Sequence, residues 1–189
     1  MLKREIFVFK EAYRNIILNK NSSLLFFWLL TLNLFLLAGT FIFFVNTNYF
    51  FEILSLPRSN TVDPLLLFQI FIGCSLGFCL YYINQIFFQR YLLFYLDEIK
   101  LMTRLDCPAH LRKRPLLYSA YLINASAIIT VLCLVFLVYN TLFQLLEKKF
   151  FFLLQFTMFD TTLIIVLVLS SIGAIIAASN YLFWQNKIY

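Results

Sequence analysis

Few residues in this chain are of types that do chemistry, and their positions exclude most chemistries. The one histidine, His110, stands among Arg112, Lys113 and Arg114 with no second metal-binding side chain at ligand spacing, so it reads as a solvated surface residue. Four cysteines, Cys74, Cys79, Cys107 and Cys133, fall in or beside apolar stretches and form no CxxC pair. They read as small apolar fillers. Neither a GxxxxGK[ST] phosphate loop nor an HExxH helix occurs, and no GxSxG nucleophile elbow is expected, so the chain carries neither the phosphate cradle of an ATPase nor the paired histidines of a zinc hydrolase. The expectation is of no catalytic residue, no metal site, no cofactor and no enzyme activity.

Acids, bases and histidines are also missing from the places where a membrane carrier needs them. Four stretches, 24–45, 65–88, 117–143 and 161–184, contain no Asp, Glu, His, Lys or Arg. Proton relays, ion-coupled carriers and voltage sensors place such groups at membrane depth, so secondary active transport is not expected. Asn33, Gln69, Asn84, Gln85, Asn124 and Asn180 are amides in or near these stretches, and they read as glue between helices. Ser171, Gly173, Ala174, Ala177, Ala178 and Ser179 give the last stretch a small face that permits close helix packing, within the chain or with a second copy.

The elements that hold these residues follow from hydropathy. Hydrophobic residues make up 62% of the 189 positions and charged residues 13%, more apolar surface than one small soluble core hides. A helix needs roughly 20 apolar residues to cross a hydrocarbon core of about 30 Å, and each of the four stretches meets that length. The first is too long for a signal-peptide core and follows some twenty polar and amphipathic residues, so it is expected to remain in the mature protein. Twelve of the fifteen basic residues lie in 1–23, 89–116 and 185–189, leaving only Arg58, Lys148 and Lys149 elsewhere. By the positive-inside rule both termini are then cytoplasmic. The expected fold is an all-α integral membrane protein with four transmembrane helices and an N-terminal amphipathic helix. The net charge of +6 is explained by a basic inner face for membrane lipids, and nucleic acid is not needed as a partner.

Outside the spans, Ile6, Phe9, Tyr13, Ile16 and Ile17 recur at helical spacing opposite Lys10, Glu11, Arg14 and Asn15. The pattern predicts an amphipathic helix along the inner membrane surface within the cytoplasmic segment 1–23, with a joint at about Asn21. Residues 46–64 form a short outer connector, and 144–160 an outer interfacial loop. In 89–116, Leu92, Tyr95, Leu96, Ile99 and Met102 carry a helical stripe past the second span. Cys107-Pro108 should break that helix, and Pro115 is placed to start the third span.

Two motifs in these inner segments resemble the FtsX-like permease family, the membrane subunits of ABC systems of the FtsE–FtsX type. Lys10-Glu11-Ala12-Tyr13-Arg14-Asn15-Ile16, followed by Asn19-Lys20, is similar to the family's run before its first span. After the second span, Glu98-Ile99-Lys100-Leu101-Met102 resembles its E-I-x-I-M segment, and Arg114-Pro115-Leu116-Leu117-Tyr118 its approach to the third span. Two departures stand out: Arg104-Leu105-Asp106-Cys107 lacks the family's glycine, and 46–64 is far shorter than the large extracytoplasmic domain usual there. The resemblance implies a non-catalytic subunit of a bacterial-type inner or plasma membrane that couples ATP hydrolysis by a cytoplasmic ABC ATPase to movement across the membrane, in cell division or envelope remodelling. It implies a homodimer, or a heterodimer with a second permease. ATPase contacts are then expected at Phe9, Tyr13, Arg14, Glu98, Met102, Arg104, Asp106 and His110. The heavy use of Phe (24) and Tyr (11) with only four Gly points to an AT-rich genome, and leaves open a structural subunit of a large complex, such as an organellar respiratory assembly.

Overall fold

A stretch that is apolar on every side can meet its backbone hydrogen bonds only within itself once water is gone, which makes helix its stable form. The computed structural model describes residues 2–53, 64–104, 109–149 and 161–185, with side-chain detail over 9–42, 67–93, 104, 114–138, 141 and 162–180. These residues form five helices: α1 (Leu2–Leu18), α2 (Lys20–Ile53), α3 (Pro64–Arg104), α4 (Ala109–Lys149) and α5 (Thr161–Gln185). Within the last four, Lys20–Ile42, Leu67–Leu93, Arg114–Val138 and Thr162–Asn180 are long and apolar enough to cross a membrane. The shortest of these, 19 residues, still extends about 28 Å at 1.5 Å per residue.

Helix α2 packs chiefly on α3 and α4, α3 also on α5, and α1 on α4. The shared core uses one seam from each helix. On α4 the seam runs Leu116, Ala120, Ile123, Ala127, Val131 and Val135, in steps of three and four residues. The two alanines let α4 approach closely where Phe26, Leu30 and Leu34 of α2 fill the interior. Leu80, Phe87, Phe88 and Tyr91 supply the seam of α3, and Leu163, Leu167, Ile175 and Ala178 that of α5. Large apolar side chains also cover the outside: Trp28, Phe71, Phe78, Leu93, Ile129, Phe136 and Leu169 are all more than half exposed. Such a surface is unstable in water and stable in hydrocarbon.

Three details depart from the sequence expectations. Helix α1 gives way to α2 at Asn19, two residues before the expected joint, and without a full turn. The Asn19 amide still donates to Asn15 O at 3.1 Å, and the Ser23 amide to Asn19 O at 2.9 Å. Pro115 lies inside α4 rather than at its first position. As the seventh residue of α4 it lies beyond the four leading amides that have no intrahelical partner, so it withholds one amide donor from the helical ladder. Cys74, Cys79 and Cys133 are exposed rather than buried fillers, since a membrane helix offers apolar surroundings on its outer face as well. Helix α3 does run on to Arg104, as the stripe through Met102 predicts.

Candidate functional site at the α1–α2 joint

Only part of the apolar stripe of α1 packs on the bundle, through the partly buried Ile16. Ala12 is fully buried and Asn15 nearly so, whereas Phe9, Tyr13 and Ile17 are exposed. A methyl group at position 12 permits the α1 backbone to lie against α4, close enough that Ser119 Oγ reaches Ala12 O at 3.4 Å besides donating to Pro115 O at 2.9 Å. Arg14 is exposed and paired with Glu11 at 2.8 Å, one helical turn back. Such an exposed pair adds only a few tenths of a kcal/mol (~0.3) to the helix.

The joint is tied to α3. Ser23 Oγ lies 3.2 Å from Ile16 O and 3.0 Å from Asn19 O, and it is hydrogen-bonded to the Tyr91 hydroxyl. The Tyr91 ring stacks on Phe87 with centroids 4.3 Å apart, and Phe87 meets Phe26 of α2 edge to face at 5.2 Å. Offset and edge-on pairs of this kind hold ring orientation beyond their simple burial. Helices α1, α2 and α3 therefore converge on one buried hydroxyl pair, beside the place where α1 crosses the start of α4.

Of the residues expected to meet an ATPase, Phe9, Tyr13 and Arg14 are together on α1, and Arg104 is exposed at the end of α3. Glu98 and Met102 lie on α3 and His110 in the first turn of α4, with side chains outside the described detail. Asp106 lies outside the described residues. Sequence reasoning missed Ala12, Ser23 and Tyr91 as site-forming residues. A small residue in the middle of an amphipathic pattern was the available signal for Ala12; nothing local links Ser23 to Tyr91.

Deeper in the bundle, Asn124 Nδ2 donates to Asn84 Oδ1 at 3.0 Å and to Ala120 O at 3.0 Å, while Asn84 Nδ2 donates to Leu80 O at 2.9 Å. Two of the predicted glue amides thus join α3 to α4. Asn33 and Gln69 are also buried, but Asn180 is exposed. The small face of α5 is divided: Ser171, Ala174, Ala178 and Ser179 turn inward, and Gly173 and Ala177 outward, with open space around Gly173. An apolar groove of about 290 Å³ between α2, α3 and α5 is lined by Leu37, Thr40, Phe41, Gln69, Ile70, Gly73 and Val166.

One string in the sequence does spell a hydrolase motif, Gly73-Cys74-Ser75-Leu76-Gly77, which fits G-x-S-x-G. A nucleophile elbow needs a strained strand-to-helix turn. Here the string is continuous helix within α3, and Ser75 Oγ donates to Phe71 O at 2.9 Å on an exposed face. Among the described residues no group of three or more His, Cys, Asp or Glu is placed to hold a metal.

Four long apolar helices around a common core make this an all-α, multi-pass membrane protein. The chain matches no family model, no curated protein and no solved structure.

Proposed function

We propose that this chain is a non-catalytic transmembrane subunit of an ABC-type complex, in the manner of the FtsX-like permeases. On this reading both termini are cytoplasmic and α1 lies along the inner leaflet. A separate FtsE-like ATPase docks on α1 and on the connection between α3 and α4. Closure of that ATPase around ATP is passed to the spans as movement, in cell division or envelope remodelling at a bacterial-type inner or plasma membrane. The complex is completed by a second copy or by a second, larger permease, and the outward Gly173 and Ala177 permit close approach of another helix.

One observation carries the reading. The elements that bear the two motifs are in contact: α1 is seated on α4 through Ala12 and joined to α3 through Ser23 and Tyr91. A push at either motif therefore reaches three spans through buried contacts. Phe9 and Tyr13 remain exposed and available to a partner or to lipid.

Co-purification with the cognate ATPase in mild detergent tests this. Glu98→Lys with Arg104→Glu should cut ATPase recovery about tenfold or more, because like charges brought together across an interface cost several kcal/mol (~2 or more). Unchanged recovery would count heavily against the reading. Recovery of cytochromes or iron–sulfur subunits in place of an ATPase would instead favour a structural subunit of a respiratory assembly.

A further inference from the structure

We propose that the Tyr91 and Ser23 hydroxyls form a lock on the α1–α2 joint, holding α1 at one angle to the bundle when closed and letting it pivot about Asn19 when open. Hydrogen counting sets the direction of the chain of bonds. Ser23 has one O–H, and its Oγ faces two carbonyls, Ile16 O at 3.2 Å and Asn19 O at 3.0 Å, which can only accept. Its hydrogen is committed to that pair, so Tyr91 is the donor to Ser23 Oγ. The relay runs from α3, through the first turn of α2, to the last turn of α1 and the joint residue itself.

Two features make this a lock on α1 rather than a general brace. Asn19 is the one residue between α1 and α2, and its carbonyl is one of the two that Ser23 Oγ bonds. The Tyr91 ring is fully buried and stacked on Phe87, which leaves its hydroxyl fixed in position. The angle of α1 then depends on where α3 stands. Since the lock is a property of this chain alone, it goes beyond the ATPase reading and stands or falls without a partner.

Distance measurements on the full chain in lipid nanodiscs, with paired spin labels and no ATPase, test it. One pair joins Lys10→Cys on α1 to native Cys133 on α4; a second joins Leu25→Cys on α2 to Cys133, and the remaining cysteines are replaced by serine. The parent should give one narrow distribution for each pair. Tyr91→Phe, which keeps the ring stack, should raise the share of a second, displaced population of the α1 pair about fivefold, the effect of losing one buried neutral hydrogen bond, and Ser23→Ala, which also removes the bond to the carbonyl pair, at least as much. Combining the two should add nothing further, and the α2 pair should stay as in the parent. An α1 distribution unchanged in both single variants overturns the lock. Equal broadening of the α2 pair also overturns it, because the hydroxyls would then be holding the whole bundle together. Additive effects in the double variant overturn the relay.

Discussion

Asn124 uses both of its amide hydrogens, one on Asn84 Oδ1 and one on Ala120 O, and its own Oδ1 is left with no protein donor. Flipping either amide would set like groups against each other, so the network fixes both orientations. Two magnitudes compete when the pair is cut. The interhelical bond itself is worth on average about 0.6 kcal/mol in a membrane protein, whereas a buried acceptor stripped of its donor costs about 1–3 kcal/mol. The stranded Asn84 Oδ1 should dominate. Asn124→Leu is therefore expected to destabilise the bundle by about 1–2 kcal/mol. Asn84→Leu combined with Asn124→Leu should cost less than the sum of the two single changes, by at least about 0.5 kcal/mol. Reversible unfolding in bicelles measures both. That these amides join helices is legible in the sequence, because an amide in an apolar span has no water to turn to. Which amide meets which is not, since 40 residues separate the two.

Helix α1 meets the bundle through its smallest residue, Ala12, while most of the described part of its apolar stripe stays exposed. Of the apolar stripe, Phe9, Tyr13 and Ile17 are exposed and Ile16 packs partly buried against the core, while Ala12 and Asn15 are buried. Close packing of backbones favours the smallest side chain, so the contact side of α1 is chosen by size and the exposed side by hydrophobicity. Ala12→Leu should consequently lift α1 off α4, an overpacking of about 1–3 kcal/mol. The bundle of α2 to α5 should remain folded. Hydrogen exchange is the measurement: amides of α1 should exchange faster while those of the four spans hold their protection, since local opening of a peripheral element does not require global unfolding. If protection were lost equally in all five helices, α1 would be part of the core rather than a helix docked on it.

For the molecule as a whole, the consequential property is which ends share a side of the membrane. With four crossings and twelve basic residues gathered in 1–23, 89–116 and 185–189, the energetics of retaining positive charge predict one orientation. A membrane-impermeant maleimide applied to intact cells should label Glu147→Cys and leave Lys20→Cys and Arg104→Cys unmodified until the membrane is opened, in a background without the native cysteines. Labelling of Lys20→Cys from outside would invert the topology and remove the α1 face from reach of any cytoplasmic ATPase. A second expectation at this scale follows from the outer surface: with Trp28, Phe71 and Phe136 exposed around the bundle, the chain should aggregate when detergent is withdrawn and stay dispersed in nanodiscs.

By itself the sequence determined that four helices are long and apolar enough to cross a membrane, and that the second of them continues beyond its apolar stretch. Length and the absence of charge are properties of a one-dimensional stretch, and the bilayer reads them one helix at a time. Only the tertiary structure decided which side of each span is inside, because a helix apolar all round carries no stripe to mark its buried face. The same holds for the hydroxyl pair of Ser23 and Tyr91, 68 residues apart, and for the seat of Ala12 on α4. The joint moved from Asn21 to Asn19 for a related reason: Ser23 continues the helical hydrogen bonding and binds the joint to α3.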